Sequence, residues 1–446
     1  MRDFVEKYEL DSWALKLFIV FNLLFPAYYS PYTDVYMSAY YPGFSWAYFF
    51  LCIYMALLLI RSRGSVKKWS IAGFLFAAGL LLYNLLSLYF NYIYLHWYWE
   101  QVNNTVAFLF IGILMWVRPT FDTTGSSKET AYSRSLEDRC QDAHPEQPLV
   151  SSSKAHRAGS FFIRSHDNIR FLIHCIVLSN VGNLVYAFFG YCRLLIVNNQ
   201  FIFYNYQENA AKNRYYWIYS HKCEYALMLT AFLALFLACR KKFRNTLTWL
   251  ASIAVLAACL FLSHSWTGFA AFAVVIVGYI AGRINGKHFK WRRWYWALIA
   301  AFIAAAGVFA YKVFSERDLS TLALRIPIWK ESIATILKYP QGWGLRFGES
   351  LMKISTGHMV NNAHNVFLNQ ILRFSIPVGI CFILIFAGIV LYMVVKRKGF
   401  MTAFTWLALL LVLNVDYSVM SINLAMVFLA VYLVSGYRED VQISQK

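Results

Sequence analysis

The chain has 446 residues, of which 59% are hydrophobic and 14% are charged, and its formal net charge is +19. Soluble domains contain roughly 45–50% apolar residues, so this composition excludes a soluble globular chain. In a soluble protein the positive charge would suggest a nucleic-acid ligand, but in a membrane protein basic residues collect in the cytoplasmic loops. We therefore expect an integral membrane protein that contacts the lipid bilayer and has no nucleic-acid partner.

A transmembrane helix needs roughly 20 predominantly apolar residues, and the chain contains about 12 such segments. They begin near Trp13, Phe44, Trp69, Thr105, Phe171, Cys223, Thr246, Thr267, Tyr295, Pro377, Met401 and Tyr417. The sequence thus predicts an all-α integral membrane protein with about 12 transmembrane helices, forming a single polytopic domain over residues 1–446.

The loops between these segments alternate in charge. Lys and Arg are frequent in Arg61–Lys68, Arg118–Arg170, Arg240–Arg244, Lys287–Arg293 and Lys396–Lys398, but absent from Tyr29–Gly43, Ser263–Thr267 and Asn414–Tyr417. Basic loops face the cytoplasm, so this alternation predicts that both termini are cytoplasmic. The polar segment 118–170 is then a mostly flexible cytoplasmic loop with no recognisable chemistry.

Two loops that this topology places outside are nevertheless basic. One contains Lys212, Arg214 and Lys222, and the other contains Arg317, Arg325, Lys330, Lys338, Arg346, Lys353 and Arg373. Long loops can cross the membrane whatever their charge, which would explain the basic residues without a function. The alternative is an anionic substrate, because guanidinium groups bind phosphate in bidentate fashion.

The larger of these loops, 315–374, contains a predicted amphipathic helix. Pro327 suits its first turn, and Pro340, Gly342 and Gly344 end it. Its apolar stripe is Trp329, Ile333, Ile336 and Leu337, opposite Lys330, Glu331, Thr335 and Lys338, so the helix is expected to lie along the membrane surface. Arg325 stands just ahead of the helix, where it either binds phosphate together with the helix N-terminus or reaches lipid headgroups.

The same loop ends with a histidine at the start of a second helix. His364 lies in Val360-Asn-Asn-Ala-His-Asn365, which precedes an apolar run through Phe367, Leu368 and Leu372. Histidine can accept a proton from a hydroxyl group near neutral pH, although a single histidine at a helix start is often structural. His364 is therefore the candidate general base.

Three motifs occur in order in this loop: Arg325-Ile-Pro-Ile-Trp329, Tyr339-Pro-Gln-Gly-Trp-Gly344 and Ala363-His-Asn-Val-Phe-Leu-Asn369. Together they resemble the signature region of the bacterial O-antigen ligase and polymerase superfamily, over about residues 205–395. The resemblance implies a GT-C-type glycosyltransferase of the bacterial inner membrane, with its active site in a large periplasmic loop. Its implied partner is a glycan linked to undecaprenyl diphosphate, and it implies neither a cofactor nor a metal.

By resemblance, His364 would be the catalytic base, and Arg214 and Arg325 would bind the diphosphate. The turn before the eighth span often carries an arginine in this superfamily, but here it reads Ser263-His-Ser-Trp-Thr-Gly268. Either His264 replaces that arginine, or the charge comes from Arg317, Arg346 or Arg373. Asn365 is expected to orient either the imidazole or the sugar.

The mechanism expected from these groups is a single displacement at the anomeric carbon, which inverts its configuration. No metal is needed if arginines stabilise the charge that develops on the leaving diphosphate.

Three functions remain open at this stage. A polymerase would join lipid-linked repeat units of O-antigen, capsule or exopolysaccharide, with a chain-length regulator as a further partner. A ligase would transfer the finished polymer to lipid A core. A lipid-linked oligosaccharide flippase would need polar or charged residues within its spans, whereas the charges here lie almost wholly in loops. The missing turn arginine and the motif around His364 favour the polymerase.

Overall fold

A computed structural model describes residues 4–5, 8–25, 42–61, 71–91, 98–116, 166–198, 219, 222–284, 324–342, 352–353, 357, 359–360, 363–397, 399–415 and 423–436. The predicted sites Arg214, Arg317 and Arg346 lie outside these residues, as do the ninth predicted span and most of the 118–170 loop.

The described part of the chain is a helical bundle of 13 α-helices. They are α1 Leu10–Leu23, α2 Pro42–Arg61, α3 Ile71–Asn91, α4 Tyr98–Trp116, α5 His166–Asn198, α6 Lys222–Ala238, α7 Thr246–Ser263, α8 Trp266–Ile284, α9 Arg325–Lys338, α10 Val366–Phe374, α11 Ile376–Arg397, α12 Phe400–Val415 and α13 Asn423–Gly436. A 3-10 turn, Arg240–Lys242, follows α6, and two short antiparallel strands, β1 Met352–Lys353 and β2 Met359–Val360, lie between α9 and α10.

A helix occupies eleven of the twelve predicted spans, and the ninth span lies outside the described residues. Five helices are long and apolar enough to cross a membrane, namely α3, α5, α7, α8 and α11. Four more are apolar but shorter, namely α2, α4, α12 and α13. Apart from the two short strands, the described residues confirm the prediction of a helical protein with apolar helices that can span a membrane, whereas the count of 12 spans and the GT-C assignment stay predictions.

Helices α6 and α13 form the centre of the bundle. Every residue from Cys223 to Leu237 of α6 is buried, as is every residue from Leu424 to Ser435 of α13. Helices that are apolar on all sides are buried on all sides in this way. Around them, Phe108, Phe382, Phe386, Trp406 and Phe428 form an aromatic cluster that joins α4, α11, α12 and α13.

Polar contacts between helix ends show which ends lie together. At one end, Arg61 of α2 binds Asp11 of α1 at 2.7 Å, and Ser12 of α1 donates to Asn168 of α5 at 2.9 Å. At the other end, the first turn of α13 contacts the first turn of α6 through Asn423 and Glu224. In each case the helix ends that meet are ends that the alternating loop charges predicted to lie on the same side of the membrane. The end that carries Glu224 is called the site end below.

Candidate functional site

Helix α9 carries the first predicted site residue. The helix begins at Arg325 itself, so Arg325 occupies its first position and does not stand ahead of it as predicted. Leu324 caps the helix with a left-handed backbone (φ 73°) and no side-chain hydrogen bond. Arg325 is half-buried, and its Nε donates to the carbonyl oxygen of Val415, the last residue of α12, at 2.8 Å. The guanidinium is therefore held against the end of a neighbouring helix.

The predicted apolar stripe of α9 coincides only partly with the face of the helix that is buried against the rest of the protein. Ile328, Ser332, Thr335 and Ile336 are buried, whereas Ile333 and Leu337 are exposed, Leu337 by 73%. The hydroxyl of Ser332 satisfies its hydrogen bond within the helix by donating to the carbonyl oxygen of Ile328 at 2.7 Å. Because its hydroxyl has this partner, Ser332 can lie on the buried face.

His364 lies immediately before α10, in a left-handed backbone conformation with φ 48°. On one side of it, the backbone N–H of Ala363 donates to Oδ1 of Asn369 at 2.8 Å. On the other side, Asn365 caps α10, because its Oδ1 accepts from the N–H groups of Phe367 and Leu368 at 3.0 Å each. Hydrogen bonds to α10 on both sides thus fix the backbone that carries the half-buried imidazole.

Asn365 also ties this loop to α12. Its Nδ2 donates to Oδ1 of Asn414 at 3.0 Å, and Asn414 in turn donates to the carbonyl oxygen of Leu410 at 2.8 Å. Because Asn414 and Val415 are consecutive, Arg325 and the residue after His364 are held by neighbouring residues of one helix end. The structure thus brings the predicted diphosphate ligand and the backbone of the predicted base to one helix end, and the predicted orienting role of Asn365 stays a prediction.

The turn after α9 packs against the junction between α10 and α11. The carbonyl oxygen of Pro340 accepts a hydrogen bond from the N–H of Ile376 at 3.0 Å. Gly342 has φ +84°, and a Cβ at this position would lie 2.6 Å from the backbone nitrogen of Ser375. The second motif of the loop therefore needs a glycine here for two reasons, its positive φ and the close approach of another backbone.

Helices α9 and α10 run side by side in the same direction. Their starts both contact the end of α12, and the residues just after their ends, Pro340 and Ile376, are joined by a hydrogen bond. Between them lies a small apolar cluster of Ile336, Leu368, Ile371, Leu372 and Ile376. The positive ends of two helix dipoles consequently lie close together beside Arg325 and His364, which favours an anionic ligand.

The other two candidate residues that the structure describes are Arg373 and His264. Arg373 is 5% exposed in the last turn of α10, about 12 Å along the helix from Asn365. His264 joins α7 to α8 with φ 53°. Gly278, near the end of α8, lies against Phe404, near the start of α12, as in an antiparallel pair with His264 toward the site end. This position does not decide whether His264 supports the site, so the supporting role stays a prediction.

Sequence reasoning missed a buried carboxylate at the same end. Glu224, in the first turn of α6, is 3% exposed and accepts a hydrogen bond from Asn423 at 2.8 Å. Burial, reinforced by the negative charge of Glu224, raises the pKa of Tyr219, whose phenol therefore stays protonated at neutral pH. A carboxylate at the start of an apolar span was the signal that could have identified Glu224.

The described residues contain no group of three or more His, Cys, Asp or Glu side chains placed to hold a metal ion. Cys192 and Cys223 do not form a disulfide bond with each other. The two candidate functional groups at the site are the guanidinium of Arg325 and the imidazole of His364.

Comparison with known proteins shows that this part of the chain is similar to a family. Residues 251–383, which include Arg325, the turn at Gly342 and His364, match the family model described as O-antigen ligase. No curated protein matches the chain. Together with the apolar helices, the match indicates a membrane protein of O-antigen-type polysaccharide biosynthesis. The predicted resemblance to the O-antigen ligase and polymerase superfamily is therefore confirmed over residues 251–383.

Proposed function

We propose that this protein is a polymerase that joins glycan repeat units carried on undecaprenyl diphosphate, at the outer face of the bacterial inner membrane. The observation that carries the proposal is that Arg325 and Asn365, the residue after His364, bind the neighbouring residues Val415 and Asn414 at the end of α12. An anion-binding group beside a proton acceptor is what glycosyl transfer from a lipid diphosphate requires.

Arg325 binds the diphosphate of the donor in this proposal. Its Nε contact with Val415 fixes the plane of the guanidinium, and a fixed plane suits bidentate binding of phosphate oxygens. The first turns of α9 and α10 add partial positive charge at the same place. Arg214, which lies outside the described residues, is the second proposed diphosphate ligand.

His364 takes the proton of the acceptor hydroxyl. The hydroxyl oxygen forms a bond to the anomeric carbon of the donor while the bond from that carbon to the diphosphate oxygen breaks. The electron pair of the broken bond leaves with undecaprenyl diphosphate, and Arg325 stabilises its charge. A single displacement of this kind inverts the anomeric configuration and needs no metal, since arginine supplies the positive charge.

The buried charges argue for an enzyme and against a flippase. Among the described residues, the buried charged side chains are Asp11, Glu224 and Arg373, and each lies within a turn of a helix end. Transporters place such groups near the middle of their spans. Tyr225 of α6 accepts a hydrogen bond from Asn183 and donates one to Asn180, both on α5, as polar contacts that join membrane helices do.

Glycan profiling of a deletion strain tests the proposal. The strain is complemented with wild type, His364→Asn or His264→Asn, and its glycans are separated on gels. Both histidines have positive φ, which asparagine tolerates, so the two variants match in backbone and differ in the site they change. We expect a polymer ladder from wild type and single-repeat product from His364→Asn. A full ladder from His264→Asn would rule out the predicted supporting role of His264, and a shortened ladder would support it.

The other outcomes separate the alternatives. Full-length lipid-linked polymer together with bare lipid A core would identify a ligase. A wild-type ladder from His364→Asn would show that His364 is not the base, and a flippase would then become the better hypothesis.

A further inference from the structure

We propose that Trp329 binds the sugar next to the diphosphate of the lipid-linked donor, through its indole N–H and the face of its ring. This inference rests on the function proposed above and adds a substrate-contacting residue to it.

The indole N–H of Trp329 is buried and has no hydrogen-bond partner within the part of the chain that the structure describes. A buried indole N–H usually has a partner. Trp249 shows the usual case, because its Nε1 donates to the carbonyl oxygen of Phe236 at 2.9 Å. The side chain of Trp329 is nevertheless partly exposed, so a ligand can reach its ring, and a small rotation of the side chain would bring the N–H to that ligand.

A second tryptophan shows why exposure matters. The Nε1 of Trp406 also lacks a hydrogen-bond partner among the described residues, but its side chain is only 2% exposed. Its ring lies 5.7 Å from that of Phe386 and 6.1 Å from that of Phe428, inside the aromatic cluster. No ligand can reach Trp406, and this makes it the matched control for Trp329.

The position of Trp329 relates it to the proposed diphosphate ligand. It follows Arg325 by four residues, so it lies on the same face of α9, about 6 Å further along the helix axis. A sugar bonded directly to a diphosphate that Arg325 holds would lie at about this distance. The two side chains would therefore contact successive groups of one donor molecule.

The chemistry of tryptophan fits a sugar better than a phosphate. The indole offers one N–H donor and a large apolar face, and it carries no positive charge. A pyranose presents oxygen acceptors at its edge and an apolar face of C–H groups. Arg325 supplies positive charge for the diphosphate, and Trp329 supplies an N–H donor and an apolar face for the neutral sugar ring.

The experiment uses the full-length protein in detergent or nanodiscs, with the lipid-linked glycan that accumulates in the deletion strain as substrate. Steady-state KM and kcat are measured for wild type, Trp329→Phe and Trp406→Phe. Undecaprenyl diphosphate, which has no sugar, serves as a competitive inhibitor. Phenylalanine keeps an aromatic ring and removes only the N–H donor and part of the ring face.

We expect Trp329→Phe to raise KM about 3- to 10-fold, the effect of losing one hydrogen bond, while Ki for undecaprenyl diphosphate stays unchanged. Trp406→Phe should change neither constant. An unchanged KM for Trp329→Phe, equal rises of KM and Ki, or the same rise for Trp406→Phe would overturn the sugar contact. If wild type makes no product from this glycolipid, the proposed function fails, and this inference fails with it.

Discussion

Asn365 caps helix α10 with its Oδ1 and donates from its Nδ2 to Asn414 of α12, over 3.0 Å. One side chain thus fixes both the start of the helix that follows His364 and its distance from the helix end that holds Arg325. Because Asn365 acts on the backbone beside the proposed base, we regard it as a positioning residue. Its two hydrogen-bonding roles can be separated by mutation.

Asn365→Asp keeps the oxygen that caps α10 but removes the N–H group that donates to Asn414. We expect kcat to fall about 10-fold or more with little change in thermal stability, since a small misplacement of the base is costly. Asn414→Leu removes the same contact from the other side. The double variant should be no slower than the slower single variant, and fully additive losses in a kcat double-mutant cycle would contradict this coupling.

Arg325→Lys keeps the positive charge and removes the planar fork of donors. Because lysine is a point charge, we expect kcat/KM to fall about 10- to 100-fold, measured with the glycolipid extracted from the deletion strain. Lys330→Ala is the control, since Lys330 is exposed on the same helix and its loss should change kcat/KM less than about 2-fold. Equal losses from the two variants would mean that only the net charge of α9 matters.

Gly342→Ala should loosen the docking of the turn after α9. The new Cβ would meet the backbone nitrogen of Ser375 at 2.6 Å, in addition to the strain of φ +84°. Gly357 has φ +85° but nothing within 4 Å of a Cβ, so Gly357→Ala carries the backbone strain alone. We expect Gly342→Ala to be less stable than Gly357→Ala by about 1–3 kcal/mol, measured by thermal unfolding.

A fall of kcat for Gly342→Ala should accompany this loss, since the turn supports the end of α10. Identical unfolding midpoints for the two variants would show that the turn does not pack against the junction of α10 and α11.

Gly379→Ala tests how closely α10 packs on α11. A Cβ at Gly379 would lie 2.8 Å from the Cα of Ile371, whereas a Cβ at Gly388, in the same helix, meets nothing within 4 Å. Alanine favours a helix over glycine, so Gly388→Ala should be neutral or stabilising. Gly379→Ala should instead destabilise by about 1–3 kcal/mol through overpacking. Higher thermal stability for both variants would show that α10 can move away without cost.

The sequence by itself determined the class of this protein and the approximate place of its helices. Transfer of apolar side chains into lipid depends on composition over about 20 residues, so it can be read along the chain without knowledge of contacts. The alternation of basic loops is equally local, and the helix ends that meet in the structure follow the same order. The motifs around Arg325, Gly342 and His364 identified the family that residues 251–383 match.

Only the tertiary structure decided what holds the candidate site together. Asn414 and Val415 carry no motif, yet their positions at the end of α12 bring Arg325 and Asn365 together from 40 residues apart in the sequence. The burial of Glu224 and the exposure of Ile333 and Leu337 likewise depend on which helices are neighbours. Hydrogen bonds and close packing act over a few ångströms between distant segments, and periodicity within one segment does not contain that information.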